Sequence, residues 1–158
     1  MHAVLIDEYL AGTETLRRVV SDVTEGELDA HPIKNQWSIR QVICHIADFE
    51  LIYADRMKRT LSEEHPTLAG GEPAIFASRL AYAHRSPSDE LEVVHSIRRQ
   101  MGVILRTLSA EDFQRHGLHP RNGPLTLATL LRRITDHLPH HLQFIEAKRQ
   151  VLSRRRTS

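Results

Sequence analysis

The stretch RITDHLPHHLQFIE, from Arg133 to Glu146, places three histidines within little more than one helical turn of an otherwise apolar pattern. Apolar residues around it recur at intervals of three, four and one, which keeps them on one face of a helix. That face reads Leu127, Leu130, Leu131, Ile134, His137, Leu138, His141, Leu142 and Ile145. His137 and His141 therefore occupy core positions, whereas His140 lies about 100° away and faces elsewhere. The pattern predicts a helix from about residue 126 to 152 with two inward imidazoles.

A second predicted helix carries a histidine in its core stripe as well. In WSIRQVICHIADFELIYADR, residues 37–56, Ser38 and Gln41 have the spacing of a capping box, and the helical period continues to about residue 61. The stripe reads Val42, His45, Ile46, Phe49 and Ile52. His45 thus stands where a leucine would serve packing better. Burying one unpartnered imidazole costs on the order of a few kcal/mol, so three of them call for a shared explanation.

The rest of the chain completes a four-helix pattern. One helical segment runs from about residue 3 to 23, and another begins at the capping sequence SPSD, residues 86–89; no segment alternates convincingly like a strand. The second and third predicted helices are separated by more than twenty residues that include Pro66, Gly70, Gly71 and Pro73. Such a connector indicates a crossover along a bundle or a functional lid. We therefore predict an all-α, single-domain four-helix bundle over residues 1–158, with one long crossover connection between its second and third helices.

Composition excludes several classes of protein. The formal net charge is +1, and no helix face is basic, which argues against nucleic acid as a partner. The single cysteine allows no intrachain disulfide, and no apolar run approaches the ~18 residues of a membrane span. The first thirty residues lack the continuous apolar stretch of a signal peptide. A soluble, cytoplasmic protein without a membrane partner is expected.

A divalent metal ion is the simplest shared explanation for the three inward histidines. An i, i+4 pair on one helix and a third imidazole on a facing helix can point at a common atom and leave a fourth position open. Three neutral imidazoles suit zinc, and nickel, cobalt or iron(II) are chemically admissible. The alternative is that each histidine bonds a carbonyl group or a neighbouring acid. The zincin motif fails because position 138 is leucine, and a di-iron site fails because only Glu92 and His95 have the E-x-x-H spacing.

The two motifs resemble the signatures of the DinB/YfiT-like metalloenzyme superfamily. Residues 37–48 match W-[ST]-x-x-[EQ]-V-x-x-H-x-x-D, and residues 117–145 match a C-terminal signature with H-x-x-x-H on the last helix. The resemblance implies a four-helix bundle, commonly a homodimer, in which His45, His137 and His141 bind one divalent metal, with zinc and nickel preferred. Pro139, between two of these ligands, departs from many relatives and is expected to bend the helix.

The resemblance also implies which reactions the protein could catalyse. Relatives include bacillithiol-type S-transferases and mycothiol-dependent isomerases, so we expect a metal-dependent enzyme acting on a small molecule. Its reaction would be either thiol S-transfer with a low-molecular-weight thiol cosubstrate or attack by a metal hydroxide on an ester, amide or similar electrophile. The alternative is a metal-free or vestigial bundle that serves as a binding or dimerisation module. The family's DNA-damage name also suggests nucleic-acid binding, against which the near-neutral charge argues.

Three further residues are candidates for supporting roles. Asp48 matches the aspartate of H-x-x-D and could orient a ligand or a bound water, or else form a simple ion pair. His119 matches the family's G-x-H-P and could line the mouth of the site. Arg98 could bind an anionic substrate, although the stripe through Ile97 puts it on the flank of its helix. Cys44, next to His45 in sequence, points about 100° away and is expected to be a small buried residue.

Overall fold

The computed structural model describes residues 2–156, and only the backbone of residues 155 and 156. Residues 1, 157 and 158 of the predicted domain lie outside this range. The described chain forms six α-helices, a short 3₁₀ turn at Asp112–Gln114 and one β-hairpin. The helices are α1 (His2–Val20), α2 (Glu25–Asp29), α3 (Ile39–Ser62), α4 (Pro73–Arg79), α5 (Pro87–Arg106) and α6 (Leu127–Arg156), and the strands are β1 (His116–His119) and β2 (Gly123–Thr126).

The four long helices α1, α3, α5 and α6 form the predicted four-helix bundle. Helices α1 and α3 each pack against both α5 and α6, so α1 and α3 lie diagonally across the bundle, as do α5 and α6. Contacts between α3 and α5 advance in the same direction along both helices. Glu50 binds Arg98, and further along α3 Lys58 donates to Gln100, which is further along α5. Helices α3 and α5 are therefore parallel.

The long connection between α3 and α5 is the predicted crossover. Because these two neighbours run in the same direction, residues 63–86 must return along the length of the bundle. Helix α4 lies within this connection and contacts α3. Ahead of α4, the connection pairs with β1: the Leu68 amide donates to the Leu118 carbonyl at 2.9 Å, and the Leu118 amide to the Pro66 carbonyl at 2.8 Å.

Local signals in the sequence set the starts of α3 and α5 as predicted. The Ser38 hydroxyl accepts from the Gln41 amide at 3.2 Å, and the Gln41 side chain accepts from the Ser38 amide at 2.9 Å, which completes the capping box. In α5, Ser86 accepts from the Asp89 amide and Pro87 occupies the first turn. These caps satisfy backbone donors that have no partner within the helix.

The structure differs from the sequence prediction in the short elements. No segment of the sequence alternates convincingly like a strand, yet β1 and β2 form an antiparallel hairpin in which Gly117 faces Leu125. Each strand has only four residues, too few for an alternating pattern to be readable. Helices α2 and α4 were also not predicted, and α6 runs beyond the expected residue 152 to Arg156.

Two apolar clusters fill the bundle, one towards each end. The first surrounds Tyr9, Met57, Met101 and Leu130, and the second surrounds Leu16, Ile43, Val94 and Ile145. On α6, His137 lies where the clusters meet, between Ile134 of the first and Leu138 of the second. His45 and His141 lie beside residues of the second cluster, Ile46 and Leu142. Among the described residues, no helix is long and apolar enough to cross a membrane.

Candidate metal centre

The three stripe histidines converge on one point between α3 and α6. The Nε2 atom of His45 lies 3.1 Å from Nε2 of His137 and 3.0 Å from Nε2 of His141. Three nitrogens bound at 2.0–2.1 Å around a tetrahedral ion would lie about 3.3 Å apart, close to the separation found here. Among the described residues, these three form the one cluster of metal-ligand side chains whose donor atoms lie within 4.8 Å of one another.

The surroundings keep all three imidazoles neutral. Burial lowers the pKa of His45 to about 4. Burial, together with the repulsion of His141, His45 and Arg98, lowers the pKa of His137 to about 2. Burial and the neighbouring charges of His45, His140 and Lys148 lower the pKa of His141 to about 3. Each ring therefore offers one unprotonated nitrogen at neutral pH, which is the form that binds a metal ion.

The remaining nitrogens argue against a purely structural role for these histidines. Nδ1 of His45 and Nδ1 of His137 are buried and have no hydrogen-bond partner among the described residues. Within the described part of the chain, the hydrogen-bonding neighbours of their Nε2 atoms are other histidines. If each ring simply bonded a carbonyl group or an acid, those partners would be present. A packed core would supply such partners, whereas here the Nε2 atoms face one another, as the donors of a shared metal ion do, so the donor set fits a metal ion better than a packed core.

Aromatic rings enclose the three histidines. Phe49 contacts His45 and His137, with ring centroids 4.4 and 5.7 Å away. Trp37 lies 5.2 Å from His45, and Phe144 lies 5.8 Å from His141. His45 is buried, whereas His137 and His141 are half-buried. The site thus has apolar walls and opens to solvent along the α6 side.

Asp48 lies one turn after His45 but is engaged elsewhere. Its carboxylate accepts from the Tyr82 hydroxyl at 2.8 Å and pairs with the Arg85 guanidinium at 2.9 Å. Arg85 also pairs with Glu90. The ion pair that the sequence allowed is therefore present, and no hydrogen bond joins Asp48 to His45. A role for Asp48 in orienting a ligand or a water stays a prediction.

Arg98 occupies a different place from the one expected. It is 1% exposed at the centre of the bundle, so the expected flank position on α5 is wrong. The reason is Glu50, which compensates its charge and accepts from Nη2 at 2.8 Å. The other guanidinium donors reach the carbonyl oxygens of Tyr9 and Ile134. Every nitrogen of this guanidinium thus has an acceptor within the core, and binding of an anionic substrate by Arg98 stays a prediction.

His119 closes the turn of the β-hairpin. Its Nδ1 atom accepts from the backbone amides of Arg121 at 3.2 Å and Asn122 at 3.3 Å, and its Nε2 atom lies 3.4 Å from the Arg56 guanidinium. Arg56 comes eleven residues after His45, about 16 Å further along α3. Burial and the nearby arginines, with Arg56 the strongest, lower the pKa of His119. These hydrogen bonds show that His119 stabilises the turn of the hairpin. Its place at the mouth of the metal site stays a prediction.

Two neighbours of the ligand candidates lie as the periodicity predicted. His140 is exposed and stacks edge-on against Phe144, with centroids 5.0 Å apart. Cys44 is fully buried, and its thiol donates to the Tyr82 carbonyl at 3.7 Å. Burial raises the pKa of this thiol to about 11, so Cys44 offers no thiolate to the site. Helix α6 remains continuous through Pro139.

Two buried charged residues near the site were not predicted. Glu50 is fully buried beside Arg98, and Lys148 is 1% exposed on α6. Lys148 follows Ile145 by three residues, so it extends the inward stripe of α6 by one more position. Continuing that stripe past Ile145 would have identified it. Glu50 gave no comparable signal, because its partner is 48 residues away.

Relatives of this chain are known by sequence. They include the following two, each named "putative metal-dependent hydrolase". OB0782 of Oceanobacillus iheyensis is 27% identical over 147 residues, which cover 90% of this chain and 84% of the relative. YfiT of Bacillus subtilis is 28% identical over 131 residues, which cover 82% of this chain and 74% of the relative.

Solved structures and a family model agree with the fold. YfiT from Bacillus subtilis, described as an unusual four-helix bundle, superposes with a TM-score of 0.89 at 24% identity and covers 96% of this chain and 87% of its own. The mycothiol-dependent maleylpyruvate isomerase superposes with a TM-score of 0.71 at 14% identity, over 90% of this chain and 59% of its own. The model of the DinB superfamily matches residues 8–145. The chain belongs to the DinB superfamily.

Proposed function

We propose that this protein is a metal-dependent enzyme in which His45, His137 and His141 hold one divalent ion and present its open position to a small-molecule substrate. The convergence of the three Nε2 atoms, 3.0 and 3.1 Å apart, carries the proposal. The absence of any carbonyl or carboxylate partner for His45 and His137 among the described residues supports it. Zinc and nickel are the preferred ions, because both accept neutral imidazole ligands.

Hydrolysis is the reaction that we place first. A divalent ion bound by three neutral imidazoles lowers the pKa of a bound water or thiol and so supplies a nucleophile at neutral pH. The relatives named as metal-dependent hydrolases support water as that nucleophile. The protein's own contribution is to fix the ligand geometry from two packed helices and to surround the site with the rings of Trp37, Phe49 and Phe144. These walls limit the access of further water.

Thiol transfer is the second candidate, and the charge of the site favours it. The cluster contains three neutral histidines and, within the part of the chain that the structure describes, no carboxylate. Asp48 is held by Tyr82 and Arg85, so it is not poised as a general base beside the triad. Three neutral ligands provide no negative charge, which favours an anionic reactant such as the thiolate of a small cosubstrate.

Elemental analysis of tag-free protein tests the metal site. We expect one zinc or nickel per chain in the wild type, and loss of the metal in His45→Ala, His137→Ala and His141→Ala. His140→Ala is the matched control, because it removes an exposed imidazole from the same helix and should retain the metal. If the wild type binds no metal even after reconstitution, the enzyme proposal fails and a binding or dimerisation module becomes the better account.

Cobalt-substituted protein separates the two reactions. Adding 2-mercaptoethanol or cysteine to it should produce a thiolate-to-cobalt absorption band if a thiol enters the open position. Cleavage of p-nitrophenyl esters, measured without any thiol and lost in His137→Ala, would support hydrolysis. A band together with thiol-dependent consumption of an electrophile, and no ester cleavage, would support transfer instead. Cross-linking or light scattering would test the expected homodimer in the same samples.

A further inference from the structure

A cavity of about 280 Å³ adjoins the histidine triad at the end of the bundle where α3 begins. Its wall combines apolar side chains, two amide side chains, one of the triad histidines and a lysine: Asn35, Gln36, Trp37, Val42, His141, Phe144 and Lys148. Val42 precedes His45 by one turn of α3, and Trp37 contacts the His45 ring. The cavity therefore borders the site that would hold the metal, through His141, and its size is close to the lower limit for small-molecule pockets.

Lys148 is an unusual member of this wall, because its positive charge is buried without a counter-ion. The residue is 1% exposed. Its ammonium group donates to Oε1 of Gln36 and to the carbonyl oxygen of Phe144, both at 3.1 Å. Both acceptors are neutral, and no carboxylate of the described residues forms an ion pair with it. Two of its three N–H donors are thus used, and the charge itself is not compensated.

A buried charge of this kind is unfavourable unless something offsets it. Lysine is almost never fully buried without a partner, because removing an ammonium group from water is strongly unfavourable. Burial accordingly lowers the pKa of Lys148. The Phe144 ring, 5.8 Å from Nζ, offers a cation–π contact that offsets only a small part of this cost. An anion that entered the cavity would supply the missing counter-charge.

We propose that this cavity is the substrate pocket of the metal site and takes an organic carboxylate, with its apolar body between Trp37 and Phe144 and its carboxylate on Lys148. The inference rests on the proposed function, since it assumes that the reacting group lies at the triad. His141 and Lys148 are seven residues apart on α6, about 10.5 Å along the helix axis. The pocket therefore selects substrates whose carboxylate and reacting group are separated by several bonds.

Trp37 makes the proposal measurable without knowledge of the substrate. It is the only tryptophan of the chain and lies in the cavity wall, so its fluorescence reports occupancy directly. The probes are 4-phenylbutanoate and its neutral amide, 4-phenylbutanamide, which share one apolar body. We expect the carboxylate to bind about tenfold more tightly or better, the usual advantage of a charge-assisted hydrogen bond.

Two variants locate the origin of that preference. Lys148→Met should reduce the affinity for the carboxylate to that of the amide and leave the amide unchanged. Gln36→Glu places a carboxylate where Oε1 now accepts from Lys148, so the lysine gains a permanent counter-ion. This second variant should also lose the preference while unfolding at a higher temperature. Because Gln36 is exposed, Gln36→Glu should not disturb folding. If Lys148→Met does not fold, Gln36→Glu alone tests whether Lys148 causes the preference for the carboxylate.

Each titration is made on both zinc-loaded and chelator-treated protein, with metal content measured separately. A preference for the carboxylate in both forms supports the pocket, even if the metal proves to be absent from the native enzyme. A preference only in the zinc-loaded form means that the carboxylate binds the ion and overturns the assignment to Lys148. Equal affinity for the two probes, or no response of Trp37 to either, overturns the proposal as well.

Discussion

Glu50 and Arg98 form an ion pair at the centre of the bundle, with Oε2 and Nη2 2.8 Å apart and both side chains almost fully buried. The pair joins all four long helices. The Tyr9 hydroxyl of α1 donates to Oε1 of Glu50 at 2.5 Å, and Arg98 donates to the carbonyl oxygens of Tyr9 and of Ile134 on α6. Ile134 precedes His137 by three residues, so this network also supports the part of α6 that carries the candidate ligands.

Replacing Arg98 with methionine should therefore destabilise the protein strongly. The change leaves Glu50 as a buried carboxylate without a counter-ion, for which a loss of about 3–5 kcal/mol in the free energy of unfolding is expected. Burial raises the pKa of Glu50, while Arg98 and the hydrogen bond from Tyr9 lower it, so in the variant Tyr9 alone opposes the effect of burial. The folded variant then binds a proton that the unfolded chain releases, and its stability should fall as pH rises above about 4.3.

Urea titrations between pH 5 and 8 measure this loss. The double variant Glu50→Leu, Arg98→Met removes both charges and should recover much of the stability, because a buried pair can be replaced by apolar residues at small cost. Additive effects of the two single changes would contradict the view that Glu50 and Arg98 act as one unit.

Gly12 should not tolerate a side chain, because it lies against the guanidinium group of Arg98. A Cβ atom at Gly12 would lie 2.3 Å from Nη1 of Arg98 and 3.7 Å from Cδ1 of Leu138. An alanine in a helix normally stabilises by about 0.5–1 kcal/mol relative to glycine. Here the clash should outweigh that gain, since Arg98 cannot move without weakening its contact with Glu50. We expect Gly12→Ala to lower the free energy of unfolding by about 1–3 kcal/mol.

Gly26→Ala is the matched control for this change. Gly26 also lies in a helix, α2, but no neighbouring atom of the described residues would lie within 4 Å of the added Cβ atom. The free energy of unfolding of the Gly26→Ala variant should equal that of the wild type or be slightly higher. Parallel chemical denaturation of the two variants makes the comparison. Equal behaviour of both alanines would show that Arg98 has room to move.

The convergence of the three histidines could be predicted from the sequence because its signal is local. His45, His137 and His141 each interrupt an apolar stripe of one helix, and helical geometry alone then places them in the core. The apolar stripe through Ile97 predicts a flank position for Arg98, and its own helix shows no partner that would favour burial of the charge. Its partner, Glu50, lies on another helix, and no periodic pattern links the two. The hairpin could not be predicted for a different reason: strands of four residues are too short to show an alternating pattern.

Metal binding should raise the thermal stability of the wild type. An ion that binds only the folded state stabilises it by about 2.7 kcal/mol at a concentration 100 times the Kd. For a protein of this size, the melting temperature should then rise by on the order of 5–10 °C when zinc is added to chelator-treated protein. Calorimetry or dye-based melting measures the shift. His137→Ala should abolish it, whereas His140→Ala should retain it; a zinc-dependent shift that survives in His137→Ala would place the ion elsewhere.

Asp48→Asn should reduce stability and leave metal affinity unchanged. Asp48 accepts from the Tyr82 hydroxyl and pairs with Arg85, so the amide loses a charge-assisted interaction in a buried setting. A loss of about 1–3 kcal/mol in the free energy of unfolding is expected, measured by urea titration. Zinc affinity, measured by competition with a chelating dye, should stay within about threefold, because no hydrogen bond connects Asp48 to His45.

Tyr82→Phe serves as the comparison for Asp48, since it removes one donor to the carboxylate and keeps the ring. It should lower the free energy of unfolding by about 1 kcal/mol, with no effect on zinc affinity. Carboxylates that orient a metal-bound histidine typically change metal affinity 10- to 100-fold when they are replaced. A loss of that size in Asp48→Asn, absent from Tyr82→Phe, would show that Asp48 turns towards His45 once the ion is bound. Its pairing with Arg85 would then belong to the metal-free protein, and the H-x-x-D motif would be part of the metal site.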